Sequence, residues 1–99
     1  MLELLKVRGN SLYPEYKDGD FVLLAKSSVF FCKYSIGNVV VVHHPIYGRM
    51  IKRIDRIDEP GKRLFILGDH EDSLDSRQLG WIDFQLVKGR VIAHIRRKD

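Results

Sequence analysis

Short apolar runs rich in Val, Ile, Leu and Phe recur about every ten to fifteen residues along the chain, with Gly, Pro, Asn or Asp between them. This rhythm constrains the fold more than any other feature, because each run has the length of a strand and each break the chemistry of a turn. Strands are expected over 2–7, 21–25, 39–43, 50–57, 63–67 and 88–95, with short helical turns at 13–17 and 83–87. No stretch carries the period of a long amphipathic helix. Asp18-Gly19-Asp20, Ile36-Gly37-Asn38 and Glu59-Pro60-Gly61 read as the turns between strands. The expected class is a mainly β, single compact domain with little helix. A length of 99 residues leaves room for one apolar core but not for a second, so the domain is expected to span 1–99.

Composition narrows the function classes. A hydrophobic fraction of 44% and a charged fraction of 30% exclude disorder and fibrous repeats. The apolar runs 29–32 and 39–42 fall far short of the ~20 residues of a membrane helix, and the N-terminus lacks the long apolar region of a secretory signal. A cytoplasmic protein with no membrane span is expected. The single cysteine, Cys32, excludes an intramolecular disulfide, and its neighbours Val29, Phe30 and Phe31 favour a buried, inert thiol. The net charge of +4 permits nucleic-acid binding, yet the basic residues are spread along the chain except at Arg96-Arg97-Lys98. No cofactor or metal is expected. His43 and His44 are adjacent in a strand and point to opposite faces, and no spacing typical of zinc ligands occurs.

Three segments carry chemistry. Ser11 lies in Gly9-Asn10-Ser11-Leu12-Tyr13-Pro14, a turn that can present a hydroxyl beside backbone N–H groups; a serine that caps a turn is the plainer reading. Lys52, in Arg49-Met50-Ile51-Lys52-Arg53-Ile54, shares its strand face with Met50 and Ile54. Desolvation there would lower its pKa towards that of a general base, unless the side chain reaches out to water. The polar segment 68–80 is long for a loop in so small a protein, and Ser73 within it can orient a neutral lysine amine without restoring its charge as a carboxylate would. Asp75 and Arg77 can hold that loop by an ion pair.

Taken together, these segments resemble the signal-peptidase-I-like Ser/Lys proteases. Gly9-Asn10-Ser11-Leu12-Tyr13-Pro14 is similar to their nucleophile box, Lys52-Arg53-Ile54 to their base box, and Gly37-Asn38-Val39-Val40 to a strand start. Gly68-Asp69-His70 followed by Ser73-Leu74-Asp75-Ser76-Arg77 and Gly80 is similar to their Gly-Asp-Asn, Ser-x-Asp-Ser-Arg, Gly signature. The boxes occur in the family's order and cover nearly the whole chain. The resemblance implies the mainly β signal peptidase/LexA-type protease fold, with substrate bound as an added strand. It also implies Ser11 as nucleophile, Lys52 as general base, Ser73 as the hydroxyl that orients the amine, and the Ser11 N–H as part of the oxyanion hole. Asn10, Leu12, Asn38 and His70 depart from the family's usual residues without removing a catalytic group, and Gly9 stands where some relatives place a second oxyanion donor.

His44-Pro45 ahead of the base strand and Gly89-Arg90-Val91 resemble the soluble nickel-type superoxide dismutase maturation proteases. That likeness implies a serine endopeptidase whose partner is a precursor protein with an N-terminal leader, and no nucleic acid. Alternatives are a different signal-peptidase-like processing protease, a self-cleaving repressor relative, and a Cys32 nucleophile with a histidine base. The non-enzymatic rival is a small basic β-barrel that binds RNA through Arg53, Arg56, Arg96, Arg97 and Lys98, with Tyr13, Tyr16 or Tyr47 for stacking.

Overall fold

The computed structural model describes residues 2–9, 11–26, 34–69 and 73–97. Cys32 and the run around it, Asn10, His70 to Asp72 and Lys98 lie outside the described residues, and with them the readings made of those positions. In chain order the elements are β1 (Leu2–Lys6), β2 (Phe21–Lys26), β3 (Val39–His44), β4 (Gly48–Asp58), β5 (Arg63–Leu67), α1 (Ser76–Leu79), β6 (Ile82–Asp83), a 3₁₀ turn (Phe84–Leu86) and β7 (Val87–Ile95). The strands form one antiparallel sheet in the order β1-β2-β7-β3-β4-β5-β6. The mainly β expectation therefore holds, and all six expected strands are present to within two residues at either end. Among the described residues no helix is long and apolar enough to cross a membrane.

Two expectations need correction. The polar segment 68–80 is not all loop: Asp75 caps one helical turn, α1, because its side chain accepts from the Arg77 N–H while the Gln78 side chain bonds back to the Asp75 backbone. The second correction concerns the core. Buried side chains divide into two clusters on opposite faces of β3, since a central strand covered on both sides has no solvent face to alternate with. Val40 and Val42 pack with Met50, Ile54, Leu64 and Ile66, whereas Val39 and Val41 pack with Val7, Leu12, Tyr16 and Leu24.

Covering both faces with one sheet requires the sheet to curl. Register shifts at Leu23/Leu24, Val41/Val42 and Ile54/Arg56 supply the bends. The curl is tight enough that the Arg49 guanidinium donates to the Lys6 carbonyl at 3.4 Å, although three strands separate β4 from β1 in the sheet order. On the outer face of β1 and β2, Leu2, Leu4 and Phe21 remain exposed, while Glu3 on the other face pairs with Lys26 and Lys88.

The β1–β2 connection is closed at its neck. Val7 N–H donates to the Asp20 carbonyl at 2.7 Å, Gly19 N–H to the Val7 carbonyl at 2.9 Å, and Gly9 N–H to the Asp18 carboxylate at 2.8 Å. The expected helical turn at 13–17 is a single bend closed by Tyr16 N–H on the Leu12 carbonyl. Asp20, only 2% exposed, accepts from the backbone N–H groups of Arg97 and Lys17 and meets His94 Nε2 at 2.7 Å. Those partners, the two backbone N–H groups first, hold its carboxyl far below the usual carboxylate range. His94 in turn stacks on Tyr16, with ring centroids 4.2 Å apart.

Asp20 thus ties the loop that follows Ser11 to the last strand, and its protonation must oppose folding. A carboxyl whose pKa is lower in the folded than in the unfolded chain contributes stability that is complete above the unfolded value and lost as pH falls. Asp20→Asn is therefore expected to cost about 1–3 kcal/mol at neutral pH. The gap to wild type should narrow as pH drops below ~4, read from urea-unfolding midpoints across that range.

Candidate active site

Three segments meet around Gly68. The first is the β1–β2 loop, anchored by Leu12 and Tyr16, which are buried in the second cluster. Burial of Leu12 alone is worth about 1.5–3 kcal/mol, whereas the exposed ion pair from Glu15 to Arg53 at 2.9 Å adds about 0–1 kcal/mol. Packing rather than charge therefore fixes the loop, and the ion pair steers it towards the strand that carries Lys52. Sequence reading missed this pair, having placed Arg53 among possible phosphate contacts.

The second segment is the middle of β4. Strand alternation puts Met50, Lys52 and Ile54 on one buried face, opposite Val40 and Val42 of β3. Lys52 is 4% exposed, so its side chain does not extend into water. Its pKa is lowered, chiefly by burial; nearby Asp75 pushes it up again and Arg77 pushes it down. The only hydrogen bond from its amine among the described residues runs to Ser73 Oγ, at 3.2 Å.

The third segment, between β5 and β6, is built around the fully buried Asp75 carboxylate. Gly68 N–H donates to it at 2.8 Å, Arg77 approaches with Nε at 3.0 Å and Nη2 at 2.8 Å, and Arg77 N–H caps it at 3.0 Å. Ser76 Oγ accepts from the Ile66 N–H at 2.8 Å, docking α1 against β5. The Asp-x-x-Gln pattern of 75–78 is a capping-box signal that could have revealed this helical turn from sequence.

Gly68 is where the segments touch. A Cβ at this position would overlap Ser73 Oγ and press on the Ser11 carbonyl, so glycine is required for the close approach. Next to it, Asp69 N–H donates to the Ser11 carbonyl at 2.6 Å. Ser11 and Ser73 therefore lie against the same residue, and Ser73 is bonded to Lys52. Among the described residues the Ser11 hydroxyl makes no hydrogen bond to the Lys52 amine; Ser11 is held through its backbone.

His44 and His94 have structural surroundings. His44 Nδ1 accepts from the N–H groups of Ile46 and Tyr47 and shapes the β3–β4 turn, while His94 belongs to the Asp20 cluster. Among the described residues no group of three or more His, Cys, Asp or Glu is placed to hold a metal ion.

A lysine amine buried between Met50 and Ile54 costs stability, since its charged form loses hydration without gaining a direct carboxylate partner. Lys52→Met is therefore expected to raise stability by about 1 kcal/mol at neutral pH, read as a higher urea midpoint with an unchanged slope. The gain should shrink as pH rises through the folded pKa of Lys52, because the neutral amine escapes the charge penalty.

Among curated proteins, none matches the chain. The Peptidase S24-like family matches residues 2–79, a span holding the β1–β2 loop, the buried lysine and the Ser73 segment described above. With more than three quarters of its length inside that match, the chain belongs to the Peptidase S24-like family of serine peptidases.

Proposed function

We propose that this chain is a serine endopeptidase working through a Ser/Lys dyad and removing an N-terminal leader from a precursor protein. Ser11 is the nucleophile, Lys52 the general base and Ser73 the hydroxyl that orients the base. The observation that carries the reading is the surroundings of Lys52: an amine kept from water, lowered in pKa by burial, and bonded to a hydroxyl instead of a carboxylate. Among precursors, the resemblance of 44–45 and 89–91 favours that of nickel-type superoxide dismutase.

The reaction is acyl transfer. Ser11 Oγ attacks the scissile carbonyl carbon while the neutral Lys52 amine takes the hydroxyl proton, and the carbonyl oxygen becomes an oxyanion facing the Ser11 N–H. Collapse breaks the C–N bond, and the Lys52 ammonium returns its proton to the leaving amine. Water then attacks the ester while Lys52 takes one of its protons; collapse breaks the bond from Ser11 Oγ to the acyl carbon, Lys52 returns that proton to Ser11 Oγ, and the leader departs as an acid that ionises to its carboxylate in water. The reading requires the Ser11 hydroxyl to come within reach of the amine once a peptide is bound, as catalytic hydrogen bonds commonly tighten in the Michaelis complex.

β4 offers a place for that peptide. It pairs with β3 over Gly48 to Arg53 but with β5 only over Arg53 to Asp58, which leaves the half leading to Lys52 with a partner on one side. An extended substrate can add there as a strand. The RNA-binding alternative finds less support, since Arg53 is paired with Glu15 and Arg56 lies 4.3 Å over the Phe65 ring.

The test is mass spectrometry of candidate precursors, including that of nickel-type superoxide dismutase, incubated with wild type and Ser11→Ala. Cleavage at a defined leader junction by wild type alone is expected; cleavage by Ser11→Ala or Lys52→Ala at the wild-type rate would overturn the assignment. Activity should fall as pH drops through a Lys52 pKa below the ordinary ~10.4 of lysine. Asp75 favours the ammonium and Arg77 opposes it, so Asp75→Asn should move that acidic limb to lower pH and Arg77→Gln to higher pH. Rate–pH profiles of the two variants check both signs.

A further inference from the structure

A cleft of about 270 Å³ opens on the face of β3 and β4 opposite to Lys52, floored by Val22, Val41 and Ile51 and bordered by Lys6, Arg8 and Arg49. Its floor is the outer side of the second apolar cluster. The volume lies below the ~300–1,000 Å³ typical of small-molecule pockets, and suits the side chains of a peptide better than a compact ligand. All three cations are exposed, and among the described residues none of them forms an ion pair. No carboxylate lines the cleft. Three like charges around an apolar floor repel one another and are left for an incoming anion to neutralise.

The position of the cleft says which part of a substrate would enter it. Its walls are the end of β1 with the residues just after it, three short of Ser11 at Arg8, and the start of β4, three short of Lys52 at Arg49. At about 3.3 Å per extended residue, Arg49 sits roughly 10 Å along β4 from Lys52. A peptide added to the free half of β4 would pass them.

We propose that Lys6, Arg8 and Arg49 form an acidic-residue subsite, selecting substrates that carry Asp or Glu about three residues from the scissile bond, with an apolar side chain two residues along on the same face. The carboxylate meets the cations while that apolar side chain covers Val41 and Ile51. This rests on the protease reading above and adds its specificity. Arg49 is the central member, since its guanidinium already reaches across the cleft to the Lys6 carbonyl.

The test uses fluorogenic peptides spanning a junction that wild type cleaves, with Asp, Asn or Lys scanned through the four positions on either side. In wild type, Asp should exceed Asn in kcat/KM by about tenfold at one position about three residues from the bond, with the ratio shrinking at high salt. Arg49→Glu should reverse the preference towards Lys. Arg8→Glu, at a side chain with no hydrogen bond among the described residues, should do so in part, and circular dichroism checks that both variants fold. A ratio within about twofold at every position, or one unmoved by both reversals, would overturn the subsite while leaving the protease reading intact.

Binding separates the two claims from the other side. Fluorescein-labelled Asp and Asn peptides are titrated into Ser11→Ala and followed by anisotropy. Charge-selective binding lost in Ser11→Ala/Arg49→Glu would uphold the subsite even if wild type cleaved no peptide, an outcome that would refute the protease reading alone. Equal binding of the two peptides would refute the subsite.

Discussion

The arrangement around Lys52 depends on a carboxylate that does not touch it. Asp75 gathers the Gly68 N–H, the Arg77 side chain and the first N–H groups of α1 onto one buried group, and this sets the path of the chain on either side. Ser73 is two residues before it and Gly68 seven. Fixing both ends brings the Ser73 hydroxyl to the lysine and the following Asp69 N–H to the Ser11 carbonyl. Without this carboxylate, several buried backbone and guanidinium donors would lose their acceptor together, a penalty larger than that of one broken hydrogen bond.

The same group creates an electrostatic problem that Arg77 relieves. A bare carboxylate near Lys52 would stabilise its ammonium and defeat a role as base. With the guanidinium paired to Asp75, its positive charge offsets part of that effect, and burial decides the direction of the shift. Ser73 then supplies a contact that orients the amine while leaving its protonation almost untouched. Positioning and charge are handled by separate residues.

How much of this could be read in the sequence depends on the range of the interactions. Strands announced themselves through local alternation, and Met50, Lys52 and Ile54 share a buried face as the period of two requires. The Ser73 segment stood out because polar residues were concentrated where a strand pattern would otherwise continue. Other features were not legible for physical reasons. The division of the core follows from the sheet curling so that both faces of β3 are covered, and curl arises from bulges that leave little trace in composition. Asp20 and His94 are far apart in sequence, and nothing local to either distinguishes a buried carboxylate–imidazole contact from two surface residues. The turn at 59–62 adds a smaller lesson: the positive φ falls on Lys62 and not on the neighbouring Gly61.

The sheet order carries a consequence for how the molecule assembles. β7 lies between β2 and β3, so it joins the β1–β2 hairpin to the β3–β4–β5 meander, and those two units share no ladder of their own. Each can begin to form from nearby residues, but each leaves a raw strand edge, β2 in one and β3 in the other, until β7 inserts. Completing the sheet therefore requires a long-range pairing, and any state that lacks it leaves two edges open to pairing with another chain. The keystone strand is also the one whose His94 meets Asp20, so the contact that locks the loop after Ser11 can form only when the sheet is complete.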